Sequence, residues 1–235
     1  RIIGAEALLR WRGADGRLIS PEHFIPVAED SGLILELGRF VLEMACRDLK
    51  RWIDSGLRIE TLAVNLSPQQ LRGQNLEQGI AELITTTGAP AHCLELEITE
   101  RGLMDLGQDT LEKLDSLKAL GVQLAIDDFG TGYSSLSYLK RMPVDKLKID
   151  RSFVEGLPAD TSDVGIVQTI IAIARTMQLR VLAEGVEGRS QLDFLREAGC
   201  EECQGFLFGP AVPSQEFVTQ LKAGTCLPPH DENQL

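Results

Sequence analysis

A chain of 235 residues that is 43% hydrophobic and 25% charged has the composition of an ordinary globular protein, long enough for one large domain or two small ones. Its formal net charge of −12 argues against duplex nucleic acid as a partner, because binding to phosphates draws on lysine and arginine. No apolar run approaches the roughly 18 residues of a membrane-spanning helix, so no membrane contact is expected of this segment.

In chain order, strand-like stretches cover 3–11, 59–67, 94–99, 122–127, 145–150, 180–185 and 203–208. Helical patterns cover 21–30, 35–55, 76–87, 107–119, 133–140, 162–177, 188–198 and 213–223. Strands alternating with helices predict a parallel sheet, and no linker-like segment divides the chain. Seven β units favour a (β/α)8-type barrel whose first strand is truncated or missing; the start at Arg1, inside a strand-like segment without Met or signal peptide, reads as a fragment of a longer protein. Residues 1–225 are expected to form one domain and 226–235 a disordered tail. Five cysteines without a repeating framework predict reduced thiols and a cytoplasmic setting, and the lone Cys200–Cys203 pair reads as packing. His23, His92 and His230 receive no role.

Side chains alternate faces along a strand. In "LELEIT", Leu94, Leu96 and Ile98 share one face while Glu95 and Glu97 share the other. In "QLAID" and "KLKID", Asp127 and the pair Lys146 and Lys148 likewise oppose the apolar residues, and in "RVLAE" Glu184 opposes Val181 and Ala183. Barrel active sites lie at the C-terminal ends of strands. Glu6, Asn65, Glu97, Asp127, Asp128, Lys148, Glu184 and Gln204 are thereby expected on one rim. The plain alternative is that strand ends are simply wet and polar. Five carboxylates against one lysine favour a cation site, and hard oxygen donors without histidine suit Mg2+ or Mn2+. Adjacent Asp127 and Asp128 fit a pair of metals about 3.5–4 Å apart, an arrangement suited to phosphate-ester hydrolysis.

The segments "EALLRW", "NLSP", "LELEITE", "DDFGTGYSSLSYL", "KID", "AEGVE" and "QGFLF" resemble, in order and spacing, those of the bacterial EAL-domain phosphodiesterases, over about residues 2–223. The resemblance implies a modified TIM barrel that hydrolyses cyclic di-GMP to linear pGpG with two Mg2+ or Mn2+ ions per site. It also implies a homodimer, fusion to sensor or GGDEF domains, and room for a membrane anchor elsewhere in the full-length protein.

Carried over, Glu6, Asn65, Glu97, Asp127 (bridging), Asp128 and Glu184 match metal ligands. Lys148 and Gln204 match residues beside the attacking water, with Asp127 and Glu184 completing the catalytic set. Leu8, Arg10, Asp150 and Glu187 fall at substrate contacts, and Glu100 at an anchor of the DDFGTG loop. Plainer readings stand beside these: Arg10 in a surface ion pair, Lys148 as a structural counter-charge, Glu187 as a loop anchor, Trp11 and Trp52 as packing. Ala211 stands where a Pro is common. Leu136, Tyr138 and Leu139 are expected to offer a face to a second subunit. The alternative functions are a degenerate domain that binds cyclic di-GMP without cleaving it, and a metal-dependent barrel enzyme for another phosphate ester.

Overall fold

In a computed structural model of the protein, residues 1–73, 75–104, 109–132 and 136–223 are described. The expected tail, the start of the 107–119 helix and residues 133–135 of the glycine loop lie outside the described residues. The chain divides into two compact units. The N-terminal unit takes the described residues of 4–125 and 134–144, and the C-terminal unit those of 1–3, 126–133 and 145 onward.

The N-terminal unit opens with β1 (Gly4–Ala7), a small antiparallel hairpin of β2 (Trp11–Arg12) and β3 (Leu18–Ile19), then α1 (Pro21–Ser31) and α2 (Ile34–Asp54). β4 (Thr61–Asn65), α3 (Pro68–Arg72), α4 (Leu76–Thr87), β5 (Leu94–Thr99), α5 (Glu100–Met104) and α6 (Asp109–Ala119) follow. β6 (Gln123–Phe129) begins in this unit and ends in the other, and α7 (Leu136–Leu139) returns to this one. Pairing is parallel, with Glu6 opposite Ala63 and Asn65 opposite Glu97. Parallel neighbours need a crossover between them, which α2 and α4 provide. α2 turns Ile34, Leu42, Ala45, Leu49 and Trp52 inward at helical spacing.

The C-terminal unit holds the rest of β6, then β7 (Lys146–Ile149), α8 (Arg151–Val154), α9 (Thr161–Met177), β8 (Arg180–Ala183), α10 (Arg189–Ala198), β9 (Glu202–Cys203) and α11 (Ser214–Ala223). β7, β8 and β9 pair in parallel and in chain order, with Lys148 opposite Leu182 and Ala183 opposite Cys203. Polar groups on these strands are paired: Glu202 accepts Lys146 Nζ at 2.8 Å and Arg180 Nη1 at 3.1 Å. Among the described residues no helix is long and apolar enough to cross a membrane.

All seven expected strands are present. The last is shorter than the expected 203–208: it ends at Cys203, and Gly205, at φ 150°, opens a turn in which Phe208 N donates to Gly205 O at 3.0 Å. The hairpin and helices α3, α5 and α8 are additional, since four or five residues carry too little periodicity to register. α3 has a local cause, because Ser67 Oγ accepts from Gln70 N at 3.2 Å and Gln70 Oε1 accepts from Ser67 N at 3.1 Å, with Pro68 opening the helix. Trp52 is buried, as the packing reading requires; Trp11 is about half exposed and meets the Phe24 ring edge-on at 5.6 Å. In α7, Leu139 is buried, so it is not part of an outward face; Leu136 is exposed.

Candidate functional site

In the N-terminal unit, β1 and β4 carry Glu6 and Asn65 to their C-terminal ends, where Asn65 Nδ2 donates to Glu6 Oε1 at 2.6 Å. Glu97 lies opposite Asn65 in register and is buried, and Glu97 O accepts from Leu66 N at 2.8 Å. "NLSP" is thus one continuous device: Asn65 ends the strand, Leu66 stays tied to β5, and Ser67 caps α3. Glu100 is buried at the first residue of α5. Leu8 and Arg10 are exposed beyond β1, and the Arg10 guanidinium donates to Leu9 O at 3.0 Å.

In the C-terminal unit the structure brings Asp127, Asp128, Lys148, Asp150, Glu184 and Gln204 together. Lys148, wholly buried, sets Nζ 3.2 Å from Asp127 Oδ1 and 2.7 Å from Glu184 Oε1. Gln204 Nε2 donates to the same Glu184 oxygen at 2.7 Å. Backbone bonds fix both ends of this contact: Glu184 N donates to Ile149 O at 3.2 Å and Gln204 N to Ala183 O at 2.8 Å. Carboxylate oxygens of Asp127, Asp128 and Glu184 lie within 4.8 Å of one another. Arg151 pairs with Glu187 at 3.4 Å across a half-exposed surface.

Asp128 has a backbone φ of 54°, left-handed and rare outside glycine and asparagine or aspartate. It stands where β6 breaks into the glycine loop, and Thr131 N and Oγ1 both donate to Asp128 O. Gly130 is needed for the same turn, since a Cβ there would lie 2.8 Å from the Phe153 ring and 3.2 Å from Ile170. Phe153 and Ile170 therefore back the loop, a role hidden in sequence because both read as ordinary core.

Asp150 also reaches beyond its expected position. Its side chain caps α8 by accepting from Ser152 N at 3.0 Å, and it hydrogen-bonds the Asp128 carboxyl. Burial first, then the Asp127 and Asp150 charges and the Asp150 hydrogen bond, push the Asp128 carboxyl up to about 6, with Lys148 opposing. Asp128 folded therefore keeps its proton to higher pH than Asp128 unfolded. Stability from this group is present at low pH and is lost as pH rises from about 3.8 through about 6. Asp128→Asn is accordingly expected to raise the melting temperature in EDTA at pH 8 and to bring little gain at pH 4; asparagine also tolerates the left-handed backbone. Calorimetry at the two pH values checks this, and equal melting curves at pH 8 would contradict the crowding.

The same crowding is the test of fit for a metal. Three carboxylates with at most one buried cation among them, and no soft ligand, make a donor set that suits a hard divalent ion. Asp127, Asp128 and Glu184 would hold it. In the other unit, Glu6, Asn65 and Glu97 offer the same oxygen chemistry.

Gly205 sets the last approach. Its missing Cβ would lie 2.3 Å from both Val186 N and Val186 O, at φ 150°. Gly205→Ala is expected to lower thermal stability and to pull Gln204 off Glu184, because backbone on both sides must part. Circular dichroism melts with metal-dependent turnover on the same samples test it; an unchanged melt would show that the loop gives way freely.

A family model described as EAL domain matches residues 1–211. The bifunctional diguanylate cyclase/cyclic di-GMP phosphodiesterase MucR of Pseudomonas aeruginosa is 43% identical over 94% of this chain, and the cyclic di-GMP phosphodiesterase NbdA of the same organism 44% over 97%. These matches take in 32% and 30% of the two proteins, so the chain spans about a third of the length of such curated relatives. A solved PaMucR phosphodiesterase in complex with c-di-GMP superposes with a TM-score of 0.87 at 43% identity, covering 90% of this chain and 86% of that one. The EAL domain of Mycobacterium smegmatis DcpA gives 0.75 at 42% identity, covering 81% and 86%. The expected α/β fold class, TIM-barrel-like with parallel strands, is met. On a family match across most of its length and on the shared fold, the chain belongs to the EAL domain family.

Proposed function

We propose that this domain is a metal-dependent phosphodiesterase that hydrolyses cyclic di-GMP to linear pGpG. The observation that carries the reading is the arrangement of Asp127, Asp128 and Glu184 around Lys148, with Gln204 locked to Glu184. A domain that only bound its ligand would not need three carboxylates held against their mutual repulsion. The relatives named as cyclic di-GMP phosphodiesterases support the same substrate.

Bound Mg2+ or Mn2+ would neutralise the phosphodiester and lower the pKa of a water molecule. The chain's own residues do the rest. Asp127, Asp128 and Glu184 would hold a metal ion, and Glu6, Asn65 and Glu97 are further candidate oxygen ligands; two Mg2+ or Mn2+ ions per site is the fuller form of the proposal. Lys148 places a fixed positive charge beside Asp127 and Glu184, where it opposes build-up of negative charge as the phosphorus–oxygen bond breaks. Gln204 holds Glu184 in one orientation through its amide. Leu8, Arg10, Asp150 and Glu187 are assigned to substrate, and Glu100 to support of the loop at 128–132. Cations also explain how a chain of net charge −12 takes an anionic substrate. A cytoplasmic homodimer joined to sensor or GGDEF domains completes the proposal.

The test is incubation of the purified chain with cyclic di-GMP and Mg2+, Mn2+, Ca2+ or EDTA, followed by chromatography. Linear pGpG is expected with Mg2+ or Mn2+ and not with EDTA. Ca2+ is expected to inhibit, because it takes longer bonds and more ligands than an octahedral site offers. Binding without cleavage in Mg2+ would make the domain a receptor. Cleavage of bis-(p-nitrophenyl) phosphate without cleavage of cyclic di-GMP would point to another phosphate ester.

A further inference from the structure

Gln191 has no part in the chemistry above, yet it is buried, 8% exposed, and both polar atoms of its amide are engaged. It is the third residue of α10, whose N-cap, Gly188, has no side chain to cap the helix. Gln191 Oε1 accepts from Gly188 N at 2.8 Å, which is half of an ordinary capping box. The same oxygen also accepts from Glu187 N at 2.8 Å, one residue further out and beyond the helix. Nε2 donates in the opposite direction, to Val154 O at the end of α8, at 3.0 Å. An amide has an oxygen that accepts and a nitrogen that donates, and either could face the turn. The bond to Val154 decides which, and leaves the oxygen towards the two N–H groups.

The turn held in this way carries Glu187. Arg151, the first residue of α8, passes its stem over Gly185, where the backbone has φ 68° and a Cβ would lie 2.9 Å from Arg151 Cβ. Its guanidinium pairs with Glu155 at 2.6 Å and with Glu187 at 3.4 Å. Glu187 is therefore set twice, through its backbone by Gln191 and through its half-exposed side chain by Arg151. The residues just before it have other supports. Val186 is buried, its N donates to Gln204 O at 3.0 Å, and its O accepts from Leu207 N at 2.9 Å. Glu184 is tied to Ile149 O through its own N. The reach of Gln191 thus begins after Val186 and takes in Glu187 and Gly188, while Glu184 keeps its place without it.

We propose that Gln191 is a positioning residue for substrate: by fixing the Glu187–Gly188 turn it sets the substrate-facing edge of the site, and it acts on the grip on cyclic di-GMP rather than on the carboxylates that would hold metal. The inference rests on the assignment of Glu187 to substrate made above. A residue that only capped α10 would change stability, and affinity would follow stability. A residue that places Glu187 changes affinity through its oxygen alone, whatever happens to the melting temperature.

Two variants of the whole chain separate these cases. Gln191→Met fills the same slot without an acceptor. Gln191→Glu keeps an oxygen for both N–H groups but turns its other oxygen on Val154 O, so it is expected to melt below the wild type. Hydrogen exchange at the Glu187 and Gly188 amides, measured without ligand, is expected to quicken by about tenfold or more in Gln191→Met and to stay near wild type in Gln191→Glu. The Kd for cyclic di-GMP in Ca2+, where turnover is arrested, and KM in Mg2+ are expected to rise about fivefold in Gln191→Met, the size of one lost hydrogen bond, with kcat within about twofold of wild type. Gln191→Glu is expected to bind like wild type despite its lower melting temperature. Wild-type protection of both amides in Gln191→Met would overturn the pin. Quickened exchange with unchanged Kd and KM would overturn the role towards substrate, as would an affinity in Gln191→Glu that falls with its melting temperature. A wild-type chain that binds no cyclic di-GMP would overturn the substrate reading instead, and exchange would still decide whether Gln191 holds the turn.

Discussion

Lys148→Met is expected to destabilise the C-terminal unit strongly and to abolish turnover. Methionine fills a similar volume, so the loss is one of charge. The Lys148 side chain is 1% exposed, and it stands between Asp127 and Glu184, themselves 11% and 16% exposed. Removing the cation takes a counter-charge from buried Asp127 and half-buried Glu184, whose oxygens lie within 4.8 Å of each other and of Asp128. Breaking a buried ion pair in this one-sided way costs about 3–5 kcal/mol, which at this chain length lowers the melting temperature by roughly 10 °C. Mg2+ should return part of that loss, because a cation held by the carboxylates replaces the missing charge. Melts in EDTA and in Mg2+, run beside a turnover assay, measure all three effects. A variant that melts with the wild type in EDTA would show that the carboxylates are already protonated or solvated, and that Lys148 is not their counter-charge.

Glu6→Ala should separate activity from folding in the opposite way. Glu6 is half-buried at the end of β1, where it accepts a 2.6 Å hydrogen bond from Asn65 Nδ2. Losing that bond costs the fold only about 1 kcal/mol. Losing a charged metal ligand removes several kcal/mol of charge stabilisation from the reaction, or about a thousandfold in turnover. The expected variant therefore melts close to the wild type and is almost inactive. Full turnover at saturating substrate and Mg2+ would remove Glu6 from the ligand set, and a collapsed melt would make it a structural residue instead.

The sequence alone determined the αβ rhythm, the seven strands and the residue types at their ends. These are local properties: strand faces repeat every two residues and helix faces every 3.6, so "LELEIT" and "KLKID" disclose their own polar faces without reference to anything distant. The spacing of seven motifs is local in the same sense, and it carries the resemblance to the family. Pairing was decided by tertiary structure. Nothing within "KID" says that Lys148 will divide its charge between Asp127 and Glu184, residues 21 and 36 positions away, or that Asp150 will cap α8 while bonding Asp128. Those contacts depend on strand register and on the turn at Gly130, which fits only because glycine has no Cβ to meet Phe153 and Ile170. The burial of Leu139, expected outside, and the end of β9 at Cys203 were settled in the same way, by neighbours that the chain meets only after it has folded.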